Sequence, residues 1–408
     1  MPFGETHVVY ERRRFVTEVQ RSLKSFSAIC QHYGISRPTG YKWLERWEGG
    51  GPSGLQDRSS RPRSSPWATP PHVVEAILNV RRAHDDYGAK KIIWYLERHR
   101  PELPLPSRTT VHNILLRHDL VPKRRKRVRR WHPGRPDTFA AQPNDTWSAD
   151  FKGEFPTRDG ELCYPLTVQD MHSRFVLDCR GRPNVKTVGV FPVFTRLFKE
   201  FGLPHRIRTD NGTPFATNTL GRLSRLSVWF IQLGTLPQLI EPGCPQQNGK
   251  HENMHLVLKR KATRPPRANL RCQQRAFNDF CAEYNHVRPH EALDGAVPAD
   301  LYEPSSRPFP KQLQPVSYPG HFETRLVSRN GGIRWYADRV LVTTLLAGHH
   351  VGLEEIDRGL FNVYFGPVWL GHFFEHKRLI LDSPDPRRRS RSRSGGTHKG
   401  RRTVKKVR

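Results

Sequence analysis

Apolar residues in the first fifty positions recur every three or four residues, which is the pattern of amphipathic helices. The pattern predicts a helix through Phe15 and Leu23, a second from about Ser27 to Gly34, and a third after an N-cap at Ser36. Along the third helix the apolar residues stand three apart: Tyr41, Leu44 and Trp47. This arrangement is typical of a helix-turn-helix, although a three-helix bundle with a solvated basic face fits the segment equally well. In a helix-turn-helix, the residues expected to face a DNA major groove are Arg37, Thr39, Lys42 and Arg46.

The same pattern returns after residues 49–66, which are rich in Gly, Pro, Ser and Arg and are predicted to form a linker. Apolar clusters at 73–78 and 92–96 predict two helices, and Ser107 is the predicted cap of a third. Two tandem three-helix units favour DNA binding, because each adds phosphate contacts and together they lengthen the recognised site. The contacts expected from the second unit are Arg108, Thr109, His112 and Asn113.

From residue 145 the pattern changes to that of strands alternating with helices. The segments TWSADF, LCYPLTVQ and RFVLDCRG predict three strands, with a hairpin turn at 170–173 between the last two. A helix (190–201), a short strand (205–209), a helix (220–233) and a strand (238–241) are predicted next. The order is that of a mixed α/β domain. Residues 331–380 are rich in Val, Tyr, Phe, Trp and Gly and predict a small all-β unit, and the basic residues from about 383 onward are predicted to be disordered.

The charge balance strengthens the nucleic-acid interpretation. Of 408 residues, 68 are Lys or Arg and 38 are Asp or Glu, for a formal net charge of +30, so a polyanionic partner is expected. The basic run KRRKRVRR is expected to follow DNA phosphates, through Lys123, Arg124 and Arg125 among others. No apolar run approaches the roughly 20 residues that span a bilayer, and the N-terminal residues lack a signal-peptide core. We therefore expect no membrane association and a cytoplasmic, nucleoid-associated location. The scattered cysteines form no CxxC pair and are predicted to be free thiols.

Three carboxylates are the candidate catalytic residues. Asp150 lies in the first predicted strand of the α/β segment, Asp210 follows the short fourth strand, and Glu252 lies in an early turn of a helix after Asn248-Gly249. Alone, each has an ordinary alternative as a strand-edge, turn or helix-terminus residue. Together they suit two divalent metal ions, which neutralise charge on the attacking and leaving oxygens of a phosphodiester. Mg²⁺ is the expected ion because it prefers oxygen ligands, with Mn²⁺ as its expected substitute.

The motifs around these carboxylates are more specific than the carboxylates themselves. The segments Trp147 to Asp150, TDNGTPF from Thr209, NGKHE ending at Glu252 and YNHVRPHEAL from Tyr284 resemble the integrase-core transposases of bacterial insertion sequences. Asp150, Asp210 and Glu252 match the family's three catalytic acids one for one. The resemblance implies an RNase H-like core, 3′-end processing by metal-activated water, and strand transfer by the liberated 3′-OH. The separation of the second and third acids is longer than in many members, which marks a subgroup, and the His/Cys zinc module of retroviral integrases has no counterpart here.

Residues near Glu252 are secondary candidates. Asn248, Lys250 and Lys259 are expected to contact DNA, Lys259 because it lies seven residues after Glu252 on the same helical face, although a solvated lysine is nearly as good an interpretation. His251 and His255 flank Glu252, but a three-carboxylate Mg²⁺ site needs no imidazole, so DNA contact or packing is favoured for both. We do not expect Asp170 or Asp178 to be catalytic.

The sequence therefore predicts a multidomain DNA transposase that binds the terminal inverted repeats of its element. Its expected partners are double-stranded DNA and further copies of the chain, in a homo-oligomer that brings two ends together. The alternatives are a non-catalytic, transposase-derived DNA-binding repressor and a structure-selective nuclease on the same core. The expected segments are helix-turn-helix 1 (1–50), a linker (51–69), helix-turn-helix 2 (70–122), a basic linker (123–142), an integrase core with a mixed five-stranded sheet (143–305), a small β-barrel-like domain (320–382) and a disordered basic tail (383–408).

Overall fold

A computed structural model of the chain describes residues 8–21, 23–59, 68–122, 140–241 and 245–382. The chain divides into two compact units, Met1–Pro70 and Pro71–Arg408. The central part of the predicted first linker, Lys123, Arg124 and Arg125 with most of the second linker, and the predicted basic tail lie outside the described residues.

The described residues of the first unit form three helices, α1 (Val8–Arg21), α2 (Phe26–His32) and α3 (Arg37–Gly54). Ser36 caps α3 as predicted, its hydroxyl accepting a hydrogen bond from the Thr39 backbone N–H at 3.4 Å. The predicted helical phase was wrong in two places: Leu23 lies beyond the end of α1 and is fully exposed, and Tyr41 is exposed while Trp43 is buried. Trp43 faces inward because Gly40 lets α3 approach α2, where a Cβ would lie 2.7 Å from the Cys30 Sγ.

Helix α3 continues into the stretch that composition assigned to a linker. Gly51, with φ +55°, interrupts the helical backbone, and the chain then returns to the core of the unit at Leu55, which is 1% exposed. The Arg12 guanidinium donates to the Leu55 carbonyl at 2.8 Å. One buried apolar side chain and one partly buried hydrogen bond thus hold a segment whose Gly and Pro content predicts an open loop.

The second unit begins with three further helices, α4 (Pro71–Ala83), α5 (Ala89–His99) and α6 (Arg108–Arg117). Ser107 caps α6 as predicted, accepting from the Thr110 N–H at 3.3 Å. The helices enclose an apolar core with the predicted spacing, in which the fully buried members include Val73, Ile77, Ile92, Leu96 and Val111.

Ion pairs join these helices to the rest of the second unit. Asp86, between α4 and α5, pairs with Arg288, and the two side chains are only 4% and 8% exposed. The Lys261 ammonium lies 3.4 Å from Asp86 and 3.4 Å from Asp85. The pair Lys90–Glu291 is solvent-exposed by comparison, with side chains 39% and 72% exposed.

The central sheet of the second unit has the mixed topology that was predicted. Its strands are β1 (Thr146–Phe151), β2 (Phe155–Pro156), β3 (Leu162–Asp170), β4 (Val176–Arg182), β5 (Arg206–Thr209) and β6 (Leu236–Leu239). The five main strands lie in the order β4, β3, β1, β5, β6, with the first three antiparallel and β1, β5 and β6 parallel. Two details differ from prediction: the two-residue strand β2 pairs with β3, and β6 begins two residues earlier than expected.

The helices around this sheet are α7 (Phe191–Phe201), α8 (Arg225–Gln232), α9 (Gly249–Leu258), α10 (Leu270–His286) and α11 (Pro298–Leu301). The single helix predicted at 220–233 was wrong in its first turn. Gly221 has φ +63° and a Cβ there would lie 2.7 Å from the Leu370 side chain, so the chain turns instead. Helix α8 begins only after Ser224, which forms a capping box with Ser227.

Residues 323–381 contain strands and short 3₁₀ turns. The strands are β7 (Glu323–Leu326), β8 (Gly332–Trp335), β9 (Asp338–Leu341), β10 (His350–Asp357), β11 (Leu360–Phe365), β12 (Val368–Phe374) and β13 (Leu379–Leu381). Five of them form a sheet in the order β13, β12, β11, β10, β7, and β8 pairs with β9. Their core is continuous with one face of α8, because Val228 and Ile231 pack into it while Leu226 and Phe230 pack toward the central sheet. In the described parts of the chain, no helix has both the length and the apolar character needed to cross a membrane.

Candidate active site

Two of the three predicted carboxylates lie side by side at the C-terminal ends of two neighbouring strands of the central sheet. Strands β1 and β5 run parallel, with Ala149 opposite Thr209 as the last paired residues. Asp150 and Asp210 follow these two residues, and neighbouring strands in a sheet lie about 4.8 Å apart. The sheet register therefore brings the two carboxylates to adjacent positions.

Burial raises the pKa of both carboxyl groups in this pair. Burial raises the pKa of Asp150 to about 7, and the neighbouring charges of Asp210 and then Glu252 add to the rise, against the Phe151 backbone hydrogen bond and Lys152. Burial also raises the pKa of Asp210, partly offset by a hydrogen bond from the Gly212 backbone. Two carboxylates held this close resist ionising together, which is the electrostatic condition that a cation relieves.

The Asp210 carboxylate is suited to bind a divalent cation. Among the described residues, the buried Oδ1 of Asp210 has no hydrogen-bond partner. A buried polar atom without a partner is costly, so an oxygen-seeking ion is the group that would compensate it. Gly212 leaves the room for this arrangement, since a Cβ at that position would lie 3.0 Å from the Asp210 Oδ2.

Glu252 lies in the first turn of α9 and its side chain is exposed. Its charge acts on the pKa of Asp150 more weakly than that of Asp210 does. Within the described ranges, no group of three or more His, Cys, Asp or Glu residues is arranged to hold a metal ion. The structure thus brings Asp150 and Asp210 together. Glu252 lies at the exposed rim of this pair, near enough for its charge to affect the pKa of Asp150.

The two histidines that flank Glu252 are packing residues. His251 is 0% exposed and His255 is 5% exposed. Both rings contact the Thr167 hydroxyl on β3, and His251 also contacts the Ser148 hydroxyl on β1. Burial lowers the pKa of both histidines, to about 3 for His251 and about 2 for His255, so both are neutral. Of the two roles that the sequence favoured, packing is the one observed.

The residues expected to contact DNA from the helical units lie on helices α3 and α6. On α6, the four side chains Arg108, Thr109, His112 and Asn113 are all exposed on the surface opposite the buried Val111 and Ile114. On α3, Arg37 and Lys42 are exposed, and Thr39 is half-buried beside the Ser36 cap. The Arg46 guanidinium and the Lys42 ammonium both lie over the Trp43 ring, 4.9 Å and 5.0 Å from its centroid.

The three residues near Glu252 that were expected to contact DNA differ in how exposed their side chains are. Lys259 is exposed at the start of a π-helical turn, Lys259–Thr263. Lys250 is half-buried, its ammonium donates to the Met171 carbonyl at 3.2 Å, and burial followed by the charges of Arg174 and Arg208 lowers its pKa to about 8. Asn248 is 4% exposed, and its Oδ1 has no partner in the described part of the chain.

Two features near the candidate site were not predicted from the sequence. One is the hydroxyl pair Ser148 and Thr167 beneath α9, for which only the i, i+4 spacing of the two histidines gave a signal. The other is Arg208, which is 6% exposed and donates to the Gln238 side chain at 3.1 Å and to the Gln247 carbonyl at 3.4 Å. Arg208 thereby ties the strand before Asp210 to the segment before α9.

Comparison with known families assigns both the helical units and the sheet domain. A helix-turn-helix domain model matches residues 11–63, and a homeodomain-like domain model matches residues 39–115. Two integrase core domain models match residues 140–245 and 233–298. The chain therefore contains segments that match helix-turn-helix and integrase core domains.

Curated relatives come from insertion elements. The IS476 uncharacterized 39.2 kDa protein of Xanthomonas euvesicatoria is 25% identical over 227 residues, which are 55% of this chain and 63% of that protein. The IS407 uncharacterized 31.7 kDa protein of Burkholderia multivorans is 26% identical over 160 residues, 39% of this chain and 55% of that protein. The chain thus spans less than two thirds of either relative. With the two kinds of domain match, these relatives confirm the resemblance to insertion-sequence transposases with an integrase-like core.

The solved structures that show some similarity to this chain include viral integrases. The HTLV-2 integrase catalytic core domain in complex with magnesium is 14% identical and covers 40% of this chain and 100% of its own, with a TM-score of 0.32. The simian T-cell lymphotropic virus intasome, in complex with the PP2A regulatory subunit B56 gamma, is 15% identical and covers 72% of this chain and 95% of its own, with a TM-score of 0.37. The integrase core of this chain is assigned by the sequence matches.

Proposed function

We propose that this protein is a DNA transposase that cleaves the ends of its element and joins them to target DNA with divalent metal ions. The observation that carries the proposal is the pair of adjacent carboxylates at the ends of β1 and β5. One of them has a buried oxygen with no hydrogen-bond partner among the residues that the structure describes. Phosphoryl transfer on DNA needs positioning and charge neutralisation, which such a pair supports when it holds a cation.

Asp150 and Asp210 would hold the ions, and Glu252 would complete the ligand set for two Mg²⁺, with Mn²⁺ as a substitute. Bound ions supply charge neutralisation at the attacking and leaving oxygens of the phosphodiester. Asp150 gives up its proton when a cation is bound, so ion affinity should increase with pH through the range of its pKa, about 7.

The DNA partner is proposed from the helix-turn-helix matches and from the charge of +30. The exposed side chains of α3 and α6 would bind the terminal inverted repeats, with Asn248, Lys250, Lys259 and the basic run from Lys123 near the cleaved strand. Pairing of two ends calls for a homo-oligomer. Because phosphate contacts release counterions, binding should weaken steeply with salt. A flat salt response in a mobility-shift titration would contradict this account.

The decisive experiment compares cleavage and binding in matched variants. Asp150→Asn, Asp210→Asn and Glu252→Gln are each expected to abolish cleavage and strand transfer on labelled DNA carrying the inverted repeats, while mobility shifts stay nearly unchanged. Asp279→Asn is the control, because Asp279 is exposed on α10, a helix that packs mainly against β4 rather than against the strands that precede Asp210 or carry Asp150. Joining at the normal rate by Asp210→Asn would show the site assignment to be wrong.

The same assay separates the two alternatives. A DNA-binding repressor derived from a transposase would shift the inverted repeats but release no cleaved product with Mg²⁺ or Mn²⁺. A nuclease on the same core would cleave DNA without joining the liberated 3′ end to a target. Transposase activity requires cleavage at the repeat ends and joined products in the same reaction.

A further inference from the structure

A buried cluster of hydroxyl and imidazole groups lies beside Asp150. His251 Nε2 and His255 Nε2 lie 2.6 Å and 2.7 Å from the Thr167 Oγ1, and His251 Nδ1 lies 2.6 Å from the Ser148 Oγ. The cluster joins three elements: Ser148 is on β1, Thr167 is on β3, and both histidines are on α9. These elements carry Asp150 and Glu252.

The number of protons in the cluster limits how its hydrogen bonds can be arranged. The Thr167 hydroxyl has one proton and lies 3.0 Å from the Asp150 carbonyl, and the Ser148 hydroxyl has one proton and lies 3.3 Å from the Gln169 carbonyl. Each neutral imidazole has one N–H and one acceptor nitrogen. The two hydroxyls and the two imidazoles therefore supply four protons for five contacts. One arrangement forms a hydrogen bond at every contact except the longest, which joins Ser148 to the Gln169 carbonyl.

In that arrangement the Thr167 hydroxyl donates to the Asp150 carbonyl and accepts from the Nε2–H of both histidines. Ser148 then donates to the Nδ1 of His251. His255 likewise has its proton on Nε2, so the nitrogen that faces the Asp150 Oδ2 at 3.9 Å is an acceptor. No imidazole proton competes with a cation for that carboxylate oxygen.

We propose that Thr167 is a positioning residue whose single hydroxyl fixes α9, and with it Glu252, against the strand that carries Asp150. The inference rests on the proposed metal-dependent function. Groups that orient ligands without touching the metal contribute about 10–100-fold to metal affinity or activity in other sites. Glu252 needs such support because its own side chain is exposed at the rim of the carboxylate pair.

The test uses the full chain and three threonine variants. Thr167→Val keeps the shape of the side chain and removes the hydroxyl, whereas Thr167→Ser keeps the hydroxyl. Thr235→Val is the matched control, because Thr235 is equally buried in the same unit and its hydroxyl donates to the Pro204 carbonyl at 2.9 Å. The first readout is Mn²⁺ affinity, measured by electron paramagnetic resonance of the free ion.

Thr167→Val is expected to weaken Mn²⁺ binding by about tenfold or more. Thr167→Ser should restore most of it, and Thr235→Val should bind like wild type even where its stability falls. In cleavage assays, Thr167→Val should lower kcat with little change in the KM for DNA. Unchanged Mn²⁺ affinity and kcat in Thr167→Val would overturn the inference, and the proposed function would still stand. A wild-type protein that binds no Mn²⁺ would overturn both.

The second readout does not depend on any threonine variant folding. In wild-type protein with ¹⁵N-labelled histidine, the signals of His251 and His255, assigned with His251→Gln and His255→Gln, should both report a protonated Nε2 and an unprotonated Nδ1. A proton on the Nδ1 of either ring would contradict the arrangement in which Thr167 accepts from both.

Discussion

Asp86→Asn should show how firmly the second helix-turn-helix unit is held to the integrase core. The substitution keeps the size of the side chain and one acceptor oxygen, but it removes the charge. Arg288 and Lys261 would then face each other without that countercharge, in a place where the Asp86 and Arg288 side chains are only 4% and 8% exposed. Removing one partner of a buried ion pair typically costs about 3–5 kcal/mol.

The measurement is chemical denaturation of the full chain, with Glu291→Gln as the control. Glu291 pairs with Lys90 across the same interface, but the two side chains are 72% and 39% exposed, so the loss should be about 0–1 kcal/mol and should shrink further in high salt. The loss in Asp86→Asn should be largely independent of salt, because solvent ions do not reach the pair.

A double-mutant cycle with Arg288→Met gives the sharper outcome. If the cost of Asp86→Asn comes from uncompensated positive charge, then the double variant should be more stable than the sum of the two single losses predicts. Additive losses, or equal losses for Asp86→Asn and Glu291→Gln, would refute the view that this buried pair joins the helices to the core.

Three further outcomes follow from the site and the fold. Because the pKa of Asp150 is about 7 in the folded protein and 3.8 ordinarily, ionisation of this group costs stability as pH rises between these values. From pH 4.5 to pH 8 the metal-free wild type should lose about 3 kcal/mol of unfolding free energy relative to Asp150→Asn, and an equal pH dependence of the two proteins in urea unfolding would contradict this. Excess Mg²⁺ should raise the thermal midpoint of wild type and leave that of Asp210→Asn unchanged, since an ion that binds only the folded state stabilises it; equal shifts would place the ion elsewhere. Gly295→Ala should cost about 1–3 kcal/mol in urea unfolding, because Gly295 has φ +94° and a Cβ would lie 2.6 Å from the Trp94 ring; a neutral result would mean that the loop relaxes away from Trp94.

The order of elements was readable from the sequence because each element carries a local signal. Ser36 and Ser107 cap helices where a hydroxyl precedes an apolar repeat. Strands β1 and β3 are rich in apolar and β-branched residues, and in β5 β-branched residues alternate with arginine. Errors arose where a distant contact overrode the local signal. Leu55 is drawn into the first core by Arg12, against the composition of its neighbours.

The candidate site could be predicted only in part, because it too depends on contacts between distant parts of the chain. Asp150 and Asp210 were located by their motifs, but only the pairing of Ala149 with Thr209 makes them neighbours. Thr167 has no local signal, because its role depends on a helix more than eighty residues later in the chain. Contacts of this kind are set by topology, and one sequence does not reveal them.

The shared core of α8 and the C-terminal strands bears on how the chain folds during synthesis. A nascent chain that has emerged only through α10 presents Val228 and Ile231 on an α8 face whose partner strands, β8 to β13, have yet to be made. An apolar face left open in this way is a site of misassembly for partly synthesised proteins. The integrase core therefore cannot finish burying its own helix until the last strands arrive, and a product truncated before them would be prone to aggregate.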